Sequence, residues 1–356
     1  MTPAHFPNGH ASNQFISIAV DLDGIVWGAT GIAPNGKGFH RFDGKAWKSF
    51  SRQNSALPVD DIWRVSVACN GDLWAGIWGL HAGAVRVPRG SDKVDSGNIF
   101  GRNVGIPPTP ENANFFVVNA AVCDGRGNTW MAVMKPNNAR GLAVRKADGT
   151  WNTLPALVAG SAQIFNDYRH VTRPLAVDAF DNLWIAAISP ARGLASLNNR
   201  GSATDSVADF FLTSANGLPN DNVTCIVVDR DNDIWIGTES GIAIILDPSN
   251  PTRQGGVASY KPLSGVSVNA IAVDPLNQKW VATNLGAILL SRDGTQTLAQ
   301  YNVENTNGRI ISDEIKDIAI DAKSGTVYFG TSNGLASLTT TAAQPKESFD
   351  ELLISP

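Results

Sequence analysis

"DRDNDIWIGTESG", residues 229–241, sets three alternating aspartates before a tryptophan held between isoleucines, then Gly-Thr and a second glycine. Taken alone it reads as a calcium loop, a catalytic turn or a structural unit. An EF-hand loop needs glycine at its sixth position and a bidentate carboxylate at its twelfth. Counted from Asp229, those positions hold Ile234 and Ser240. The rest of the chain decides the matter, because the stretch recurs. AVDLDGIVWGAT carries Trp27, SVACNGDLWAGI Trp74, AVCDGRGNTWMAV Trp130 and AVDAFDNLWIAA Trp184. After Trp235 come AVDPLNQKWVAT with Trp280 and AIDAKSGTVYFGT, where Tyr328 stands in for tryptophan. The copies replace the acids freely, with Asn70, Phe180 and Leu276, so the repeated acid is read as a turn cap and the tryptophan as filler between layers.

The steps between the aromatics are 47, 56, 54, 51, 45 and 48 residues, and seven such units fill the chain. The first unit shows their internal plan. Ile16–Val20 is apolar, a tight polar turn follows, then Val26–Thr30, a glycine-containing loop, Phe39–Phe42, and a DGKAW turn into Trp47–Phe50. That predicts four short antiparallel strands per unit. Four-stranded sheets repeated radially are the blades of a β-propeller. The expectation is therefore an all-β, seven-bladed β-propeller of four-stranded antiparallel blades. A β-helix needs a shorter period, and no segment sustains the 3.6-residue period of helical repeats. Aligned in register, the inner strands IAVD, VSVA, AVCD, LAVD, IVVD, IAVD and IAID carry Ile, Val or Leu on one face and mostly Ala, Ser or Val on the other. Strands covered on both faces need no polar alternation, and the small side lets the next blade approach.

The chain is 43% hydrophobic and 17% charged, which suits a large buried core and not a disordered segment. A net charge of −4 without Lys or Arg runs argues against a nucleic-acid partner. No apolar run reaches the length of a membrane span, so no direct insertion is expected. MTPAHFPNGH lacks the features of a signal peptide; the chain is cytoplasmic, or its leader has been removed. Cys69, Cys123 and Cys225 are odd in number, widely spaced and set in apolar runs, so each is read as a small buried hydrophobe. The last unit lacks an aromatic fourth strand. Residues 3–7 have the spacing to supply it and close a propeller of residues 1–340; Ser348–Ile354 is the competing closure. Residues 341–356 read as a tail or linker.

Residues 221–242, DNVTCIVVDRDNDIWIGTESGI, resemble the two-component regulator propeller repeat, as do "NSALPVDDIW" (54–63) and "NGLPNDNVTCI" (216–226). The last 90 residues, from "VNAIAVDPLNQKW" to "FGTSNGLASL", are similar to the propeller region of PorZ-type components of the Bacteroidetes type IX secretion system. That family usually carries two propellers, and only one is present here; "LLISP" reads as the start of a linker to a further domain. The resemblance implies a bacterial protein exported to the periplasm or cell surface. It also implies sensing or scaffolding, with a surface glycan or lipopolysaccharide, or a secretion or signalling protein, as partner.

Residues that depart from the repeat near the mouth of the channel are the candidates for function, because structural residues recur. Trp63 and Trp78 are out of register with the repeated tryptophans, and Phe115 begins the next inner strand; aromatic faces suit sugar rings, or else they pack beneath the insertion 87–112. NDYRHVTRP (166–174) brings Arg169, His170 and Arg173, cations for an acidic glycan or phosphate. Glu239, Asn269, Asn284 and Asp313 are expected at the same mouth. No cofactor, zinc or nucleophile motif is present. The alternative is an enzyme resembling seven-bladed streptogramin lyases, which use His and Glu with magnesium at the channel mouth. His170 and Glu239 are the nearest counterparts, and a second histidine is lacking.

Overall fold

A computed structural model describes residues 2–3, 12–158, 162–168, 171–198, 208–252, 255–260 and 263–344. The fold is all-β and propeller-like. Each copy of the repeat pairs its strands antiparallel in chain order. In the copy containing Trp235 these are Val223–Val228, Ile234–Thr238, Gly241–Ile245 and Val257–Tyr260. Four-stranded sheets of the same order cover residues 17–50, 175–212 and 268–301. A further one, over 315–339, takes Thr2–Pro3 as its outermost strand. Residues 62–154 form one eight-stranded sheet. Two four-strand runs meet in it where Phe115–Val117 pair with Trp78–Leu80. A two-stranded hairpin, Leu157–Val158 with Ala162–Gln163, lies between this sheet and the next in sequence.

The innermost strands stand side by side. Ser17–Val20 touches Ile62–Val67, which touches Phe115–Cys123; contact then passes through Leu175–Val177, Val223–Val228 and Val268–Val273 to Ile315–Asp321. Ile315–Asp321 in turn touches Ser17–Val20, so the series closes on itself. At that seam the Phe15 N–H donates to the Thr331 carbonyl at 2.8 Å, and the Ile18 N–H to Asp317 Oδ2 at 2.9 Å. Thr2 lies opposite Ser337 and Pro3 opposite Ala336. Residues 4–7 of the expected closing strand, and the whole of 348–354, lie outside the described residues.

The repeated acid caps the turn into the second strand. Asp178 Oδ1 accepts the N–H groups of Phe180 and Asn182, both at 2.9 Å, and its Oδ2 accepts Trp184 Nε1 at 3.0 Å. The same three bonds recur at Asp21 with Trp27, Asp124 with Trp130, Asp229 with Trp235 and Asp274 with Trp280. Each carboxylate thereby fixes a tight turn and ties down the indole that follows it. Trp130, Trp184, Trp235 and Trp280 are fully buried. Transfer estimates give each roughly 4–6 kcal/mol.

The Gly-Thr-x-x-Gly phrase has a separate cause. Thr283 Oγ1 accepts the Leu285 N–H at 3.0 Å and donates to the Gly286 carbonyl at 2.7 Å, closing the next turn. Gly286 has φ +110°, and a Cβ there would lie 2.2 Å from the Tyr301 carbonyl oxygen. Close approach between the two four-strand runs of the large sheet also needs a small residue: a Cβ on Gly76 would sit 2.3 Å from the Val118 carbonyl oxygen.

One sequence expectation is corrected. Cys69 and Cys123 do not act as buried hydrophobes; they are joined by a disulfide, Cα–Cα 5.9 Å. Cys69 follows the cap position of one copy and Cys123 precedes the cap Asp124 of the next, so side-by-side inner strands bring them together. Cys225 is buried and free, and burial pushes its thiol up to about 11, as expected of a packing residue.

Candidate functional site

The inner strands are interrupted at one shared level. The register against the second strand slips between Ile62 and Arg64, Val118 and Ala121, Val223 and Cys225, Val268 and Ala270, and Ile315 and Asp317. A bulge re-aims the extra side chain away from the sheet. At four of these slips the extra residue, Trp63, Thr224, Asn269 or Lys316, lines one cavity of about 400 Å³ with Gln14, Ile16, Gly31, Ile32, Arg64 and Thr172. This cavity is the entry mouth of the axis, where the inner strands begin. A second cavity of about 530 Å³ is lined by residues from every inner strand and runs along the axis towards their other end. Among the described residues its lining carries no charge apart from Arg173 and Asp317.

Those two charged residues line the second cavity and pair with each other. Arg173 pairs with Asp317 at 3.1 Å and donates to the carbonyls of Ile271 and Ile318 at 3.0 and 2.6 Å. Asp317 also accepts the N–H groups of Ile18 and Ile318. Arg64 is 4% exposed; it donates to the Ile16 carbonyl at 2.7 Å and lies 5.0 Å over the Trp63 ring. Burial holds its guanidinium down to about 10; the Asp317 charge opposes that shift and Arg173 adds to it.

The expected site residues divide among these features. Trp63 and Asn269 line the entry cavity. Trp63 is buried, its ring 5.0 Å from Trp78, and Trp78 lies 5.2 Å from Tyr168; Trp78 and the half-buried Phe115 pack on the same core. Asn284 accepts from Asn269 Nδ2 at 2.9 Å, which also donates to the Ile315 carbonyl. Glu239 accepts from Asn222 Nδ2 at 2.6 Å and lines a neighbouring cavity of about 410 Å³ with Asp167 and Tyr168. Arg173 lines the second cavity, paired with Asp317. Asp313 accepts the Val303 N–H at 2.7 Å. Arg169 and His170 lie outside the described residues. Beside this mouth Glu111 binds Lys135 and accepts the Tyr168 hydroxyl at 3.0 Å; the Lys135 hydrogen bond holds its carboxyl below the usual range.

Residues 217–240 match the family model described as Two component regulator propeller. The chain carries the two component regulator propeller repeat. No curated protein sequence matches it. Among solved structures, PorZ, a surface component of the type-IX secretion system of Porphyromonas gingivalis, is similar with a TM-score of 0.73 and 20% identity. The match covers 96% of this chain and 48% of PorZ. The extracellular domain of the hybrid two component system BT3049 from B. thetaiotaomicron is similar at TM-score 0.69 and 16% identity, over 94% of this chain and 40% of that one. The chain thus spans about half or less of the length of these two proteins. A catalytically inactive virginiamycin B lyase from Staphylococcus aureus, solved with quinupristin, gives TM-score 0.66 and 15% identity, over 94% of this chain and 97% of the lyase. At these identities the likeness is one of fold.

Within the propeller repeat, sequence reasoning passed over Arg64 and Asp317. Their signal was present in the aligned copies. Four positions before the cap, the inner strands carry Ser17, Arg64, Ala120, Pro174, Cys225, Ala270 and Asp317. Two full charges break a row of small or apolar residues, but the position falls among strand residues that were read for packing alone.

Proposed function

We propose that this chain is a non-catalytic binding or scaffold module of an exported bacterial protein, capturing a glycan or a partner protein at the entry mouth. The eight-stranded sheet counts as two blades joined by the edge pairing at Phe115–Val117. The ring then has seven blades, with the N-terminal strand closing the last. One observation carries the reading: four bulges at the same level aim side chains that vary between copies into a single cavity. The rest of the axis is lined mainly by residues that recur for packing. The Cys69–Cys123 disulfide supports export, because such bonds persist in oxidising compartments. Among the described residues no helix is long and apolar enough to cross a membrane.

The test is a glycan array read with the parent chain, a variant with Asn269→Ala and Lys316→Ala at the entry mouth, and Phe180→Ser on an exposed turn at the far end. Binding that falls at least ten-fold in the first variant and is unchanged in the second supports the reading. Equal binding by all three chains contradicts the site. A second reading, an enzyme at the same mouth, is favoured by the whole-length likeness to virginiamycin B lyase and by Glu239 beside its cavity. It predicts consumption of a bound ligand that Glu239→Gln abolishes.

A further inference from the structure

The charges lining the axis do not balance. Among the described residues, Arg64 and Lys316 line the entry cavity with no acid, and Arg173 and Asp317 line the lower one. Asp317 is committed to Arg173 and to two backbone N–H groups. Lys316 is half-exposed and pairs with Glu314 just outside the cavity lining. Arg64 is left over: among the described residues no carboxylate pairs with it. Its one hydrogen-bond acceptor is the Ile16 carbonyl, and its Nε is buried without a partner. A guanidinium offers five N–H donors, and burying its charge unpaired is costly. The other copies show that the fold does not require the residue, since serine, alanine, proline, cysteine or aspartate fills the same place. The Trp63 face beneath the guanidinium fixes its plane without consuming a donor.

We propose that the entry cavity is an oxyanion site, in which a carboxylate or phosphate group of a small ligand accepts hydrogen bonds from Arg64, with Lys316 adding charge at the rim. The inference rests on the binding-module reading and names the chemistry it selects. About 400 Å³ suits one acidic sugar residue or a group of similar size. The planar fork of Arg64 matches two oxygens of either anion.

The test titrates the intact chain with sodium glucuronate, inorganic phosphate and neutral glucose, by calorimetry at low ionic strength. At least one anion is expected to bind ten-fold or more tightly than glucose, and the tighter of the two identifies the source of the oxyanion. Arg64→Met is expected to abolish that preference and Lys316→Gln to weaken it several-fold. Should Arg64→Met not fold, the Arg64 Nε–H resonance of the parent, followed by NMR during the titration, gives the same answer through its shift. No preference for either anion, a preference that survives in Arg64→Met, or an unmoved Nε–H resonance overturns the proposal. Glycan capture at this mouth that is indifferent to charge defeats the oxyanion site and leaves the binding module standing. Anion binding without any glycan or partner capture does the reverse.

Discussion

The aspartate six residues before each tryptophan performs three tasks with two oxygens, and its exceptions show the energetics. Asp178→Ala would orphan two turn N–H groups and the buried Trp184 Nε1 together. A loss of about 3 kcal/mol is expected, read as a shift in the denaturation midpoint. In the second copy Ala68 already occupies the cap position, and the buried Trp74 Nε1 has no partner among the described residues. Four residues after the cap, Asn128 and Asn182 donate Nδ2 to Asp124 and Asp178 at 2.8 Å. The Trp235 copy has Asp233 there. Burial first, and then the Asp229 charge, push its carboxyl up to about 6, from an ordinary 3.8. Between those values the folded chain holds the proton more tightly than the unfolded one. Stability therefore falls as pH rises through that window, and the penalty is complete above it. Asp233→Asn removes the penalty and allows the bond its sister copies make. It should melt above the parent at about pH 7.5, with the difference vanishing below about pH 4. Equal melting at both pH values would contradict this account. The cap and the indole were legible in sequence because they recur; the ion pair of buried Lys279 with Asp229, 2.6 Å across neighbouring sheets, was not, because it occurs once.

At the scale of the strand, the period and the turn chemistry were enough to place the elements, since glycine and threonine mark turns whose hydrogen bonds are local. The bulges were invisible. A one-residue slip against the second strand leaves no mark in an apolar run, and it decides which side chains enter the cavity. The cysteine pair was hidden for a related reason: 54 residues separate its members, and only the side-by-side packing of inner strands joins them. Closing a loop of that length is worth up to about 4 kcal/mol by chain entropy. Cys69→Ser, Cys123→Ser and reduction of the parent should each lower the denaturation midpoint by a similar amount. Unchanged stability on reduction would show that the bond does not constrain the unfolded chain.

For the whole molecule, a ring whose last sheet takes its outer strand from the first residues should be weakened by losing them. Deleting residues 1–7 uncovers the edge of Leu335–Thr339, and a lower melting temperature with a tendency to self-associate is expected. An unchanged melting temperature would return closure to the C-terminal segment. The architecture was readable because repetition multiplies a weak local signal seven times. The site was only partly readable, because its residues are the ones that do not repeat. The most direct test of the account is hydrogen–deuterium exchange of the chain, free and with a glycan identified on the array. Protection is predicted around residues 14–16, 62–65, 223–224, 268–269 and 315–316, where the bulged strands meet the entry cavity. Protection confined to the turns at 68–72, 178–182 and 274–278, at the opposite end of the axis, would contradict it.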